Sequence, residues 1–124
     1  MEIYNPRQLN METKLNDNDK IEGYWSLKGN PALDIYPTPV PNVLTQDEAD
    51  VVFKLIKRKE AGASVTRYRG MSRSRIDNKT VVGSMEYSRA GWRWPQGFAE
   101  HYVRDHRVKP TDAFLKFIGY DRSQ

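Results

Sequence analysis

The sequence predicts a small α+β fold, an antiparallel sheet of two to four strands packed with about three helices. Three observations carry that expectation. Thr45-Gln46-Asp47-Glu48 has the form of a capping box, Lys79–Arg89 alternates apolar with polar residues, and Pro110-Thr111-Asp112 opens a last short apolar stripe.

The first helix is expected to start after Thr45, whose hydroxyl can accept from the amide three residues on while Glu48 reaches back. Ala49, Val52, Phe53 and Ile56 form its buried stripe, and Gly62 is placed to end it. Lys54, Lys57, Arg58 and Lys59 crowd its last turns, where the helix dipole favours cations. Ala63 to Ile76 reads as strand, bend, strand, with Val65, Thr66 and Tyr68 suited to extended backbone and Gly70 to the bend. Lys79–Arg89 is the clearest strand, with Val81, Met85 and Tyr87 on its apolar side. Ala90-Gly91 turns the chain, and Pro95 suits the first position of a second helix that runs to about Asp105. Thr111 is the expected N-cap of the third helix, which buries Phe114, Leu115 and Ile118 before Gly119.

The 124 residues suffice for one domain. Residues 1–20 are polar and are expected to form a flexible arm, which leaves 21–124 as a single α+β domain. Within it, residues 31–43 carry four prolines, which lack an amide donor and impose an extended path. That path is expected to place Leu33, Ile35 and Tyr36 on the core, and Gly23–Leu27 is a possible short strand. Cysteine is absent, which excludes disulfides, thiolate nucleophiles and the commonest zinc ligands and suits a reducing compartment. No apolar run is long enough to span a membrane, so a cytoplasmic protein without a membrane partner is expected.

Charge is unevenly placed. Residues 1–60 hold 8 basic and 10 acidic side chains, residues 61–124 hold 12 and 6. Arg67, Arg69, Arg73 and Arg75 share one parity, so an extended chain would turn them to one side, and guanidinium forks phosphate or carboxylate well. With Lys79, Arg93 and Tyr68 they form a candidate surface for nucleic acid or an acidic protein face. The competing expectation is that Glu86, Asp77 and Glu100 neutralise them within the fold. Trp92 and Trp94 are candidate docking residues for a protein partner, or else core residues that fix the turn before the helix.

His101 and His106 are the only histidines. Five residues along an α-helix turn through roughly 140°, so both can face one metal only if the helix loosens near Asp105, with Asp77 as a third ligand. No cofactor is expected on this basis. Nothing in the chain forms a nucleophile elbow, a phosphate-binding glycine loop or a paired-carboxylate motif, so a non-enzymatic binding protein is expected.

The run Tyr68-Arg69-Gly70-x-Ser72-x-Ser74-Arg75-Ile76-Asp77, then Gly83-Ser84-x-Glu86-Tyr87, then Gly91-Trp92-x-Trp94-Pro95-x-Gly97-Phe98, then His101-Tyr102-Val103-x-x-His106-x-Val108-x-Pro110 resembles a family of small uncharacterised proteins of bacteria and their phages. The resemblance covers roughly residues 50–118. It implies relatives with Cys-x-x-Cys where this chain has Ser74 and Asp77, which with the two histidines would make a zinc-binding set. This sequence departs from that set at both thiolate positions. The functions it leaves open are an arginine-rich binding protein of bacterial or phage origin, a host-protein inhibitor or virion component docking through Trp92 and Trp94, and a degenerate zinc-site domain with residual metal-dependent hydrolase activity.

Overall fold

A computed structural model describes residues 20–26, 31–33 and 35–121. Nearly all of the expected N-terminal arm, residues 1–19, lies outside this range, as do Leu27 and Asp34. The elements run β1 (Lys20–Ile21), a 3₁₀ turn (Pro31–Leu33), α1 (Gln46–Ala61), β2 (Ser64–Arg73), β3 (Val81–Arg89), β4 (Trp92–Pro95), a π-helix (Phe98–Asp105) and α2 (Asp112–Ile118). The α+β class is as expected. The sheet is mixed, not wholly antiparallel: its order is β1-β4-β3-β2, and β1 runs parallel to β4.

α1 begins as its sequence dictates. Thr45 Oγ1 accepts from the Glu48 amide at 3.1 Å, and Glu48 Oε1 accepts from the Thr45 amide at 2.9 Å. Ala49, Val52 and Ile56 are buried along one face. At the far end Gly62 donates back to Lys59, and Arg89 Nη1 donates to the carbonyls of Lys59 (3.1 Å) and Arg58 (3.4 Å). Arg89 therefore satisfies open carbonyls at a negative helix terminus.

β2 is one strand with an irregularity between Arg67 and Arg73, where Gly70 takes a φ of +80°. Alternation in β3 sorts differently from the apolar pattern. Tyr87 does face the helices, stacked on Trp94 at 5.9 Å, but Val81 is exposed and the most buried residue of the strand is Glu86. Glu86 is tolerated because Tyr24, Tyr68 and Arg93 all direct donors at its carboxylate.

β4 delivers the centre of the core. Trp94 is fully buried and Trp92 is 7% exposed, Trp94 edge-on to Phe114 and Trp92 stacked on Phe117 at 5.6 Å. The Trp94 indole N–H donates to Glu60 at 3.1 Å, and Glu60 also meets Lys57, which bridges to Glu100 with both contacts at 2.7 Å. Burial works to lower the Lys57 ammonium, and its bonds to Glu100 and Glu60 overcome that and raise it. The Glu60 carboxyl is raised by burial against the pull of Lys57 and Trp94. Lys57 thus stands 2.7 Å from both Glu60 and Glu100 and links α1 to the π-helix.

Two sequence expectations are corrected here. Pro95 ends β4 and does not open the helix; two residues later Gly97, at a φ of +89°, turns the chain, and a Cβ there would come within 2.6 Å of the Val82 carbonyl. Ile35 is 80% exposed where a core position was expected, because the turn closed by Tyr36 onto the Leu33 carbonyl buries Leu33 and leaves Ile35 at its outer corner. α2 starts at the expected cap: Thr111 Oγ1 accepts from Phe114, and Glu22 receives both the Thr111 amide and hydroxyl at 2.8 Å.

Candidate metal centre

The Ser74–Thr80 connection between β2 and β3 folds against the π-helix. Ser74 donates its amide to Thr80 and accepts from Asn78 at its carbonyl, which closes the loop. The buried Ser74 Oγ accepts from the amides of Ile76 (3.0 Å) and Asp77 (3.2 Å) and lies 2.6 Å from His101 Nε2. Asp77 is held from the other side: Oδ1 accepts from the amides of Lys79 and Thr80, and Oδ2 from Thr80 Oγ1 at 2.6 Å. Those bonds, the Thr80 hydroxyl first, hold the Asp77 carboxyl well below the usual range, so it is an anion at any ordinary pH.

The helix loosens in the way the two histidines require. His106 donates its amide to the His101 carbonyl at 3.1 Å, five residues back, and the whole Phe98–Asp105 segment is wound as a π-helix. Winding with i to i+5 bonds turns residues five apart toward one face. The imidazoles of His101 and His106 accordingly meet with centroids 4.6 Å apart. Burial, and then the neighbouring His106, lower the His101 imidazole, which favours the neutral form that binds a metal.

Asp77, His101 and His106 each present a ligand atom, and these atoms lie within 4.8 Å of one another. Ligands of a tetrahedral ion at about 2.1 Å stand roughly 3.4 Å apart, so small side-chain rotations close the set. One carboxylate and two imidazoles suit a borderline divalent ion such as zinc. A cleft of about 310 Å³, lined by Thr80, Gln96, Glu100, His101 and Asp105 among others, opens beside the cluster.

The arginine pattern is divided by the fold. Arg67 pairs with Met85 and Arg73 with Val81, on one side of the sheet, and alternation puts Arg69 with Arg67. Arg93 pairs with Ser88 on the opposite side, where it meets Glu86 at 3.2 Å. Arg75 is half-buried and gives Nη1 to the Arg73 carbonyl at 2.7 Å, so it too leaves the proposed strip. Lys79 is exposed in the loop, and the Tyr68 hydroxyl is directed at Glu86. Trp92 and Trp94 have no open face for a partner, because β4 turns both indoles toward the helices.

Sequence reasoning reached Ser74 only through the resemblance, and it missed the Ser74 contact with His101 and Thr80 as the group that fixes Asp77. The Ser-x-x-Asp spacing with a threonine three residues on is the signal that marks such a turn.

Fold and site together define a small α+β protein with a histidine–carboxylate cluster joining a sheet loop to a π-helix. Comparison of the chain with protein-family models, with curated proteins and with solved structures finds no match in any of the three. Among the described residues no helix is long and apolar enough to cross a membrane.

Proposed function

We propose that this chain is a small divalent-metal-binding protein, with Asp77, His101 and His106 as the protein ligands. The observation that carries this reading is the convergence of those three side chains within 4.8 Å from two separate elements. Three protein ligands leave a position for water, and the adjoining cleft gives that position a way out to solvent. A bound ion would also clip the Ser74–Thr80 loop to the π-helix, so binding and stability are linked.

The test is thermal unfolding of metal-free protein with and without zinc. At a free concentration about 100 times Kd, zinc should stabilise by about 2.7 kcal/mol. Asp77→Asn and His106→Ala should each lose most of that response. An unchanged midpoint in the parent protein would remove the reading.

A second reading, a surface for an anionic partner, is favoured by Arg67, Arg69 and Arg73: none of the three is ion-paired to a carboxylate among the described residues. Lys79 stands near them in sequence.

A further inference from the structure

β2 is the outer strand of the sheet and, among the described residues, pairs as a strand only with β3, its last carbonyl, that of Arg73, being taken by Arg75 Nη1. Ten residues is long for an edge, and seven of them, Ser64 to Arg67 and Arg69 to Met71, are exposed. Alternate amides and carbonyls of such a strand point away from the sheet, which is the template that an extended chain can join. The same strand carries Arg67 and Arg69 two residues apart, then Arg73 beyond the irregularity, all on one face.

From this coincidence we propose that β2 receives an extended acidic peptide as an added strand, with carboxylates at alternate positions lying opposite Arg67 and Arg69. The proposal rests on the anionic-partner reading and narrows it. Residues two apart repeat at about 6.6 Å in any strand, so a partner in the same conformation matches the arginine spacing without distortion. Charges of opposite sign directly across a strand pair attract, and guanidinium takes a carboxylate in a forked pair of bonds.

The surroundings favour a peptide over single-stranded nucleic acid. Single-strand binding calls for exposed rings on which bases stack. Here Trp92 and Trp94 are in the core, and the Tyr68 hydroxyl is tied to Glu86. The exposed residues beside the arginines are instead Val65 and Met71, 46% and 42% exposed, which suit strand contacts. The two acids of the hairpin are already engaged, Glu86 by Arg93 and the tyrosines, Asp77 by its own turn. On the arginine side of the sheet Glu60 and Glu100, which act on Tyr87 together with Arg67, are bridged by Lys57, and among the described residues no carboxylate ion-pairs with Arg67, Arg69 or Arg73.

The experiment uses the full chain and three fluorescent probes: a peptide of alternating Glu and Val, the same peptide with every second backbone amide N-methylated on its hydrogen-bonding edge, and a single-stranded oligonucleotide. The expected result is saturable one-to-one binding of the first peptide and at least a tenfold loss on N-methylation, with the oligonucleotide weaker than the parent peptide. Arg67→Ala with Arg69→Ala should also weaken the first peptide at least tenfold. Equal binding of both peptides would overturn strand addition while leaving an anion-binding face. Preference for the oligonucleotide would overturn the choice of partner. Binding of none of the three would overturn the anionic-partner reading as well, and assign the arginines to keeping the edge from pairing with other chains.

Discussion

The amide of His106 bonds the carbonyl of His101 across five residues, at 3.1 Å, and that one change of winding places the two imidazoles on the same side. On an α-helix the same pair would diverge by roughly 140°. A local backbone geometry thus decides whether the only two histidines of the chain act together. The turn that holds Asp77 then brings the third ligand to them.

The three tryptophans should behave as core residues. Trp25, Trp92 and Trp94 are 8%, 7% and 0% exposed. Native protein is therefore expected to show weak acrylamide quenching of its fluorescence, rising severalfold in denaturant. Strong quenching in the native state would show an open indole and restore Trp92 or Trp94 as a docking group.

Trp94→Ala should cost about 3–5 kcal/mol in urea unfolding, since it opens a void against Phe114 and Tyr87 and strips a donor from buried Glu60. Trp94→Phe should cost less, because a ring still packs against Phe114 and Tyr87 while the donor to Glu60 is lost.

Glu86→Ala should destabilise by about 3–5 kcal/mol, because it leaves Arg93, Tyr24 and Tyr68 without their shared acceptor. A loss under 1 kcal/mol in denaturant unfolding would mean that Arg93 is solvated in the native state. In that event Arg93 would return to the exposed basic surface.

Much of this was legible in the sequence, and the failures have physical causes. The caps at Thr45 and Thr111 and the endings at Gly62 and Gly119 are local chemistry, so short motifs located α1 and α2. The face on which Glu86 lies was hidden, since alternation shows two sides and does not say that Tyr24 will come from 62 residues away to bury a carboxylate. For the same reason the sequence groups Arg93 with Arg67, although sheet pairing sets them on opposite faces. The π winding leaves no mark on the apolar periodicity, so in the sequence alone the histidine pair is conditional on how the helix is wound. Lys20–Ile21 pairs in parallel with β4, a long-range contact that two residues cannot announce.

Glu22 supplies a pH test away from the cluster. Burial raises its carboxyl above the usual value, opposed by the Thr111 bonds and Lys109. The folded state then holds a proton that the unfolded chain has released, so this group's contribution to stability falls as pH rises from about 4.5 through the folded value. Glu22→Gln, which has no proton to lose, should gain in melting temperature relative to the parent as pH moves from 4 to 7. A constant difference across that range would show that Glu22 titrates normally.

The account turns on whether Asp77, His101 and His106 act as one ligand set. Elemental analysis of zinc-loaded protein after exhaustive dialysis measures this most directly. The parent chain should retain one zinc per molecule, and Asp77→Asn and His106→Ala, checked for native fold, should retain little. Zinc missing from the parent, or kept equally by the variants, would contradict the metal centre.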